Sequence, residues 1–325
     1  MLASIKQIDD IIPHGNADSI EISCVGNWKC IVKKGLFKVG EKVVFIEPDT
    51  VLPDKPWTAM YKAKSSRVKA IKLRGVWSEG IVEKLSALGL EETAEGDVSE
   101  ALDVKKYEPP LPDEVNIKGG LPFRIPKTDE DRWEKMEPMP YGETVDITLK
   151  IDGKSFTAYA AKQDGINRIW HTGICGRTAE HKLEYQNQFT LQDKKYNILE
   201  KLLAFCQKND VSLAVRGELH GAKIQNNKIN PHAGGETRLA FYSCYLIDER
   251  RYAGKGDRFY IFDIAPELGL PTVDMIEWNT KLTEQHIKKY AEGITTLNGK
   301  PFEGVVVKGN NFSFKIINKD YDSKK

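Results

Sequence analysis

The chain has 325 residues, 40% hydrophobic, 9% aromatic and 29% charged, with a formal net charge of +1. At roughly 150 residues per domain this length gives two globular domains, each with ample core, and the composition excludes a disordered, collagen-like or coiled-coil chain. No apolar run approaches the roughly 18 residues of a membrane span, and the first ten residues carry two acids where a signal peptide would be apolar. The expectation is a protein of the cytoplasm, or of the nucleus in a eukaryote, that is neither secreted nor membrane-bound. Cys24, Cys30, Cys175, Cys206 and Cys244 form no CxxC pair and read as small buried thiols of a reducing compartment.

Local charge is patterned although the total is not. From Lys55 to Ser78 there are seven Lys or Arg and no acid, whereas Glu79 to Glu114 holds eleven acids against three bases. The segment to Gly120 reads as short strands with turns, among them Ile20 to Val25, Trp28 to Lys33 and Lys42 to Glu47, which predicts a small all-β barrel. Proline and glycine cluster from Glu108 to Pro126 and break regular structure, which predicts the linker there. Beyond it, alternation predicts strands over Thr144 to Lys150, Ser155 to Ala161, Ser212 to Leu219, Phe259 to Ile264 and Glu303 to Lys308. Helices are predicted over Leu191 to Asn209, where Ile198, Leu202 and Phe205 share a face, and over Thr283 to Glu292, capped by Thr283 and Gly293. The second domain is therefore α+β, of about 200 residues.

In Thr144-Val-Asp-Ile-Thr-Leu-Lys-Ile-Asp-Gly, Val145, Ile147 and Leu149 alternate with polar residues, so Lys150 lies on the polar face at the mouth of a strand. Alone, that lysine reads more readily as a solvated strand end beside an Asp-Gly hairpin turn than as a functional group. Its company changes the weighing: Gly176-Arg177-Thr178, Arg216-Gly217-Glu218-Leu219, Phe259-Tyr260-Ile261-Phe262-Asp263-Ile264, Glu303-Gly304-Val305-Val306-Val307-Lys308 and Phe314-Lys315-Ile316 follow in series.

Together these strings resemble the nucleotidyltransferase motifs of covalent ligases and capping enzymes. With the β-domain in front and no room for a further domain after Lys325, the chain resembles RNA ligases of the family-five type. The resemblance implies an OB barrel over residues 1–118 and an ATP-grasp-like antiparallel adenylyltransferase domain over residues 119–325. It implies an ATP-dependent, AMP-forming ligase that seals 3′-hydroxyl/5′-phosphate nicks whose 3′ end is RNA. The route is a lysyl-AMP on Lys150 and then a 5′-adenylylated nucleic acid. A free lysine has a pKa of about 10.4, so this nucleophile needs desolvation or neighbouring positive charge. The resemblance gives the catalytic roles to Lys150, Lys308 and Lys315, and the nucleotide to Lys150, Asp152, Gly153, Arg177, Glu218, Phe262, Glu303, Lys308 and Lys315. Asp152, Glu218 and Glu303 would hold magnesium or manganese, directly or through water. Arg177 would fork onto a phosphate, and Phe262 would stack on adenine.

Each role has a plainer alternative. Arg177 pairs with a carboxylate, Lys308 is a solvated strand end, and Phe262 is a core residue whose role passes to Phe259 or Tyr245. The second lysine that many ligases carry in the last motif is Ile317 here, with Lys319 two residues on. In front, Lys69, Lys72 and Arg74 with Trp57 and Tyr61 predict a groove for nicked duplex, cations for phosphates and rings for bases; the alternative is a solvated strand pair. A GTP-using capping enzyme and a DNA ligase both normally place the OB domain last. A noncatalytic RNA-binding protein has no chemical reason to keep all of Lys150, Asp152, Glu218, Glu303 and Lys315. The chain is expected to act as a monomer.

Overall fold

The structure is a computed structural model that describes residues 1–63, 65–107, 116–127, 129–163, 169–225, 228–293 and 295–322. It divides into two compact units, Met1–Pro110 and Leu111–Lys325. The Glu108 to Pro112 run expected in the linker lies outside the described residues.

The front unit contains β1 (Ala3–Gln7), β2 (Asp10–Pro13), β3 (Ile20–Val25), β4 (Trp28–Lys33), β5 (Lys42–Ile46), β6 (Thr50–Val51), β7 (Ile71–Leu73), β8 (Val76–Ser78), β9 (Ile81–Glu83) and β10 (Lys105–Lys106), with the short helix α1 (Ala59–Lys62). Two three-stranded antiparallel sheets, β1–β5–β9 and β2–β3–β4, carry it. β5 is buried on both faces: Val44 and Ile46 join one apolar cluster, Val43 and Phe45 the other. That is why its sequence reads as an unbroken apolar run rather than a clean alternation.

The second unit is built on two antiparallel sheets. The larger runs in the order β11 (Ile117–Gly120), β15 (Ala179–His181), β14 (Trp170–Cys175), β13 (Lys154–Lys162), β16 (Leu213–His220), β17 (Arg238–Leu246), β18 (Arg251–Tyr252). The smaller runs β19 (Met275–Lys281), β12 (Thr144–Lys150), β22 (Gly304–Lys308), β23 (Ser313–Ile317), and β20 (Thr296–Leu297) pairs with β21 (Lys300–Pro301) alone. Helices α2 (Gln188–Tyr196), α3 (Ile198–Asn209) and α4 (Ile261–Leu268) flank the larger sheet, and α5 (Glu284–Glu292) the smaller; α6 (Lys319–Asp322) follows β23.

The core of the larger sheet takes Ile198, Leu202 and Phe205 from α3 against Phe156, Val215 and Leu246. Each such burial contributes about 1.5–3 kcal/mol. Val145, Ile147, Leu149, Val305, Val307, Phe314 and Ile316 of the smaller sheet pack on Ile287 and Tyr290 of α5. By strand alternation, the opposite face of β12, β22 and β23 carries Asp146, Thr148, Lys150, Lys308 and Lys315.

Three expectations are corrected. Phe259 to Ile264 is not a strand: Ile261, Ile264, Ala265 and Leu268 lie buried at helical spacing in α4, stopped by Gly269 in the left-handed region. Leu191 to Asn209 is not one helix: Asn197, at φ 53°, ends α2, and the Asp193 carboxylate accepts from the Leu199 N–H at 2.9 Å to start α3. The Asp152-Gly153 turn is not a hairpin either. β12 pairs with β19 and β22, whereas β13 pairs with β14 and β16, so Ile151 to Gly153 carries the chain from one sheet to the other.

Candidate active site

The polar face of the smaller sheet gathers the three sequence-predicted lysines. Lys150 stands opposite Gly304 in the β12–β22 register, and its Nζ donates to Glu303 Oε2 at 2.7 Å. Lys308 stands opposite Asp146, and Lys315 opposite Val306 one strand further. Burial pushes both Lys308 and Lys315 below the ordinary lysine range, because a charged amine loses hydration there. Glu130 and Asp146 oppose the shift at Lys308, and Asp129 opposes it at Lys315, where the charges of Lys150 and Arg132 add to the lowering. Each of the three lysines therefore has a carboxylate near it, Glu303 at Lys150, Glu130 and Asp146 at Lys308 and Asp129 at Lys315. Asp146 is fully buried and already satisfied: Lys255 Nζ at 2.8 Å, Tyr260 Oη at 2.9 Å and the Asn279 N–H at 3.0 Å donate to it.

The turn between the sheets is held from three sides. Asn230 Nδ2 donates to the Asp152 carbonyl at 2.7 Å, Gln225 Nε2 donates to the Gly153 carbonyl, and Tyr321 Oη of α6 donates to Asp152 Oδ2 at 2.6 Å. Asp152 and Tyr321 are buried. Gly153 tolerates no side chain, since a Cβ there would sit 2.2 Å from the Leu219 carbonyl oxygen and 2.9 Å from Glu218 Cγ. The same close approach brings Glu218 of β16 against the turn. Glu303 and Asp152 both act electrostatically on His232, in the segment after β16, so the three expected carboxylates lie around Lys150 and its turn. They do not form a direct ligand set: among the described residues no three carboxylate, imidazole or thiolate groups gather for a metal.

The wall opposite comes from β14, β16 and β17. Arg177 sits in the tight turn between β14 and β15, where Gly176 N–H donates to the Ala179 carbonyl at 2.9 Å, and its guanidinium lies 3.7 Å from Asp129. β17 carries an extra residue opposite Arg216-Gly217: Ser243 pairs with Arg216 and Phe241 with Gly217, which leaves Tyr242 in the bulge. Bulges re-aim side chains, and here the Tyr242 ring centroid lies 6.0 Å from Lys308 Nζ. Burial raises the Tyr242 hydroxyl well above its ordinary range, and Glu218 adds to the effect.

Both parts of the chain are similar to known proteins. A family model described as RNA ligase matches residues 143–317, more than half of the chain, and an OB-fold domain model matches residues 2–85. The chain belongs to the RNA ligase family. Solved structures of the Naegleria gruberi RNA ligase resemble the whole ligase: a variant with ATP and manganese is 27% identical with a TM-score of 0.83, covering 100% of this chain and 99% of that one. The same protein with pyrophosphate is 28% identical, TM-score 0.81, covering 98% and 97%. A further variant with AMP and manganese is 26% identical, TM-score 0.82, covering 100% and 98%. No curated protein matches the chain.

Within this RNA ligase some expected residues lie elsewhere. Phe262 is in α4, half-buried between the two apolar clusters and 5.3 Å from the Tyr260 ring, so it takes its alternative reading as packing. The aromatic beside the lysines is Tyr242, which the sequence reading missed; its signal was the run Arg238 to Leu246, rich in strand formers. Ile317 is buried, and Lys319 of α6 is tied to Glu292 at 3.1 Å. In the front unit Lys69, Lys72 and Arg74 are exposed, with Lys72 Nζ 5.3 Å from the Trp77 ring. Trp57 and Tyr61, expected as exposed stacking rings, instead pack on an apolar cluster, and Tyr61 Oη donates to Glu83. No helix among the described residues is long and apolar enough to cross a membrane.

Proposed function

We propose that this ligase joins an RNA 3′-hydroxyl to a 5′-phosphate at a nick in duplex nucleic acid, using ATP and a covalent lysyl-AMP on Lys150. One observation carries the reading: Lys150, Lys308 and Lys315 converge on one face beside Glu303, with Lys150 at the point where the chain passes between sheets. The residues present fit a nucleoside triphosphate, with desolvated ammonium groups and Arg177 for phosphates and the Tyr242 ring for the base. They also fit a hydrated divalent cation, magnesium or manganese, because Asp152, Glu218 and Glu303 offer hard oxygens around the turn without a closed direct set. Such an ion supplies positive charge near the phosphates and the nucleophile.

The ammonium of Lys150, held by Glu303, first loses a proton. Its Nζ lone pair then forms a bond to the α-phosphorus as the bond from that phosphorus to the bridging oxygen breaks, and pyrophosphate leaves. Lys308 and Lys315 stabilise the charge that gathers on the phosphoryl oxygens. An oxygen of the 5′-phosphate next displaces Nζ from the AMP phosphorus. Finally the 3′-hydroxyl, losing its proton, attacks the 5′-phosphate and AMP leaves. Lys69, Lys72 and Arg74 of the front unit bind the duplex backbone. Incubation with α-phosphate-labelled ATP, and separately GTP, followed by a denaturing gel and intact mass, tests this: an AMP adduct from ATP alone, lost in Lys150→Ala, is expected. An adduct retained by that variant refutes the nucleophile, a GMP adduct moves the protein to capping chemistry, and no adduct refutes the covalent route. On the adduct-forming protein, Ala at Lys69, Lys72 and Arg74 is expected to weaken nick binding and flatten its salt dependence; unchanged binding at low salt removes the groove.

A further inference from the structure

Lys308, Lys315 and Arg177 each have a carboxylate supplied by one stretch of chain. Residues 126–132, of which Thr128 lies outside the described residues, run between the two sheets of the second unit. At one end Arg216 Nη2 donates to the Pro126 carbonyl at 2.6 Å, two residues before Glu218 on β16. Arg216 is 1% exposed, and its Nε and Nη1 have no partner among the described residues; the Tyr245 and Tyr252 rings lie 5.8 and 5.3 Å from its guanidinium carbon. At the other end the Lys315 N–H donates to the Asp131 carbonyl at 2.7 Å, and Arg132 bridges to Lys315 in parallel. The stretch is thus strapped to β16 and to β23.

Between the ties, the strap presents carboxylates to the cations. Asp129 Oδ1 accepts from Lys315 Nζ at 3.0 Å, and its Oδ2 lies 3.7 Å from Arg177. Glu130 Oε1 lies 3.9 Å from Lys308 Nζ, and its Oε2 accepts from Ser313 Oγ at 2.8 Å. Lysines as buried as Lys308 and Lys315 are costly without an anion close by, so a carboxylate at each is the arrangement expected when no phosphate is present. A triphosphate brings its own negative charge to the same nitrogens, and like charges there repel.

We propose that Asp129 and Glu130 are positioning residues that stand in for the nucleotide's phosphates, holding Lys308, Lys315 and Arg177 in the free enzyme and leaving them when ATP binds. The inference rests on the nucleotidyl-transfer reading above. It gives the strap a measurable cost: ATP must displace three part-buried ion pairs, so removing their charge tightens binding.

The test compares Asp129→Asn, Glu130→Gln and their combination with the unaltered protein. The ATP concentration that half-saturates adduct formation is expected to fall by about three- to tenfold. The maximal rate is expected to hold or fall as the cations lose their orientation. Calorimetric titration with inorganic pyrophosphate, which needs no turnover, is expected to tighten by a similar factor. Asp131→Asn, whose main chain makes the tie, serves as the control for net charge. Unchanged or weaker ATP and pyrophosphate binding in Asp129→Asn and Glu130→Gln overturns the proposal, as does equal tightening in Asp131→Asn. Absence of any adduct from the unaltered protein strikes the nucleotidyl-transfer reading instead, and the pyrophosphate titration still decides the strap.

Discussion

Tyr321→Phe removes one oxygen and leaves the packing of a fully buried ring in place, which makes it a clean probe of how Asp152 is held. The lost contact is the 2.6 Å bond from Tyr321 Oη to Asp152 Oδ2, between two buried groups. A hydrogen bond to a charged group contributes about 1.5–3 kcal/mol, and burial keeps water from replacing it freely. For a unit of this size each kcal/mol shifts the melting temperature by about 2–4 °C, so a drop of about 3–12 °C is expected. Urea unfolding should show a lower midpoint with an unchanged slope, since the ring still fills its site. Adduct formation is expected to slow by about tenfold, because Asp152 then loses one of the contacts that orient it within the segment that carries Lys150. A stability change under about 0.5 kcal/mol would refute the reasoning, for it would mean that water reaches Asp152 and replaces the hydroxyl.

Tyr242→Leu and Phe262→Leu each cut back a ring packed on the smaller sheet's core and should each cost about 1–2 kcal/mol of stability, but only Tyr242→Leu is expected to raise the half-saturating ATP concentration, by about tenfold. Steady-state adduct kinetics beside urea melts separate the two, and the reverse pattern would return the adenine to Phe262. His220 is pushed down to about 4, mainly by burial and then by the nearby His232 and Arg238. Its folded value lies below its unfolded one, so the stability it permits is full above about 6.5 and is lost as pH falls toward 4. The ring is partly solvent-screened, which limits the loss to about 1–2 kcal/mol. Urea melts at neutral pH and near pH 4.5 should therefore show a flatter acid loss in His220→Gln, and parallel losses in both proteins would remove His220 as the cause.

Local pattern carried much of this structure into view. β12 was legible because Val145, Ile147 and Leu149 face one core without interruption, and that alternation alone placed Lys150 on the polar face. α5 was legible through Thr283 and Gly293 at its ends. Phe259 to Ile264 was misread because its aromatic and β-branched residues favour a strand locally, while the helical spacing of Ile261, Ile264, Ala265 and Leu268 becomes visible only when the window extends to Gly269. The break at Asn197 had a local signal too, since asparagine tolerates the left-handed region. The contacts of Asp129 with Lys315 and of Tyr321 with Asp152 join residues 186 and 169 positions apart, and no local pattern encodes them. Tyr242 was hidden for a related reason: only pairing with β16 shows that the strand carries one residue too many there.

The passage of the chain from one sheet to the other through Ile151, Asp152 and Gly153 has a mechanical consequence. A three-residue connection has almost no slack, so at this point the two sheets are bound to one another and Lys150, the last residue of β12, stays close to a fixed point. The stretch tied to β16 and to β23 joins the same two sheets at a second place, and Phe262 packs on both cores. On the proposed route the substrate must therefore be brought to Lys150, rather than Lys150 to the substrate.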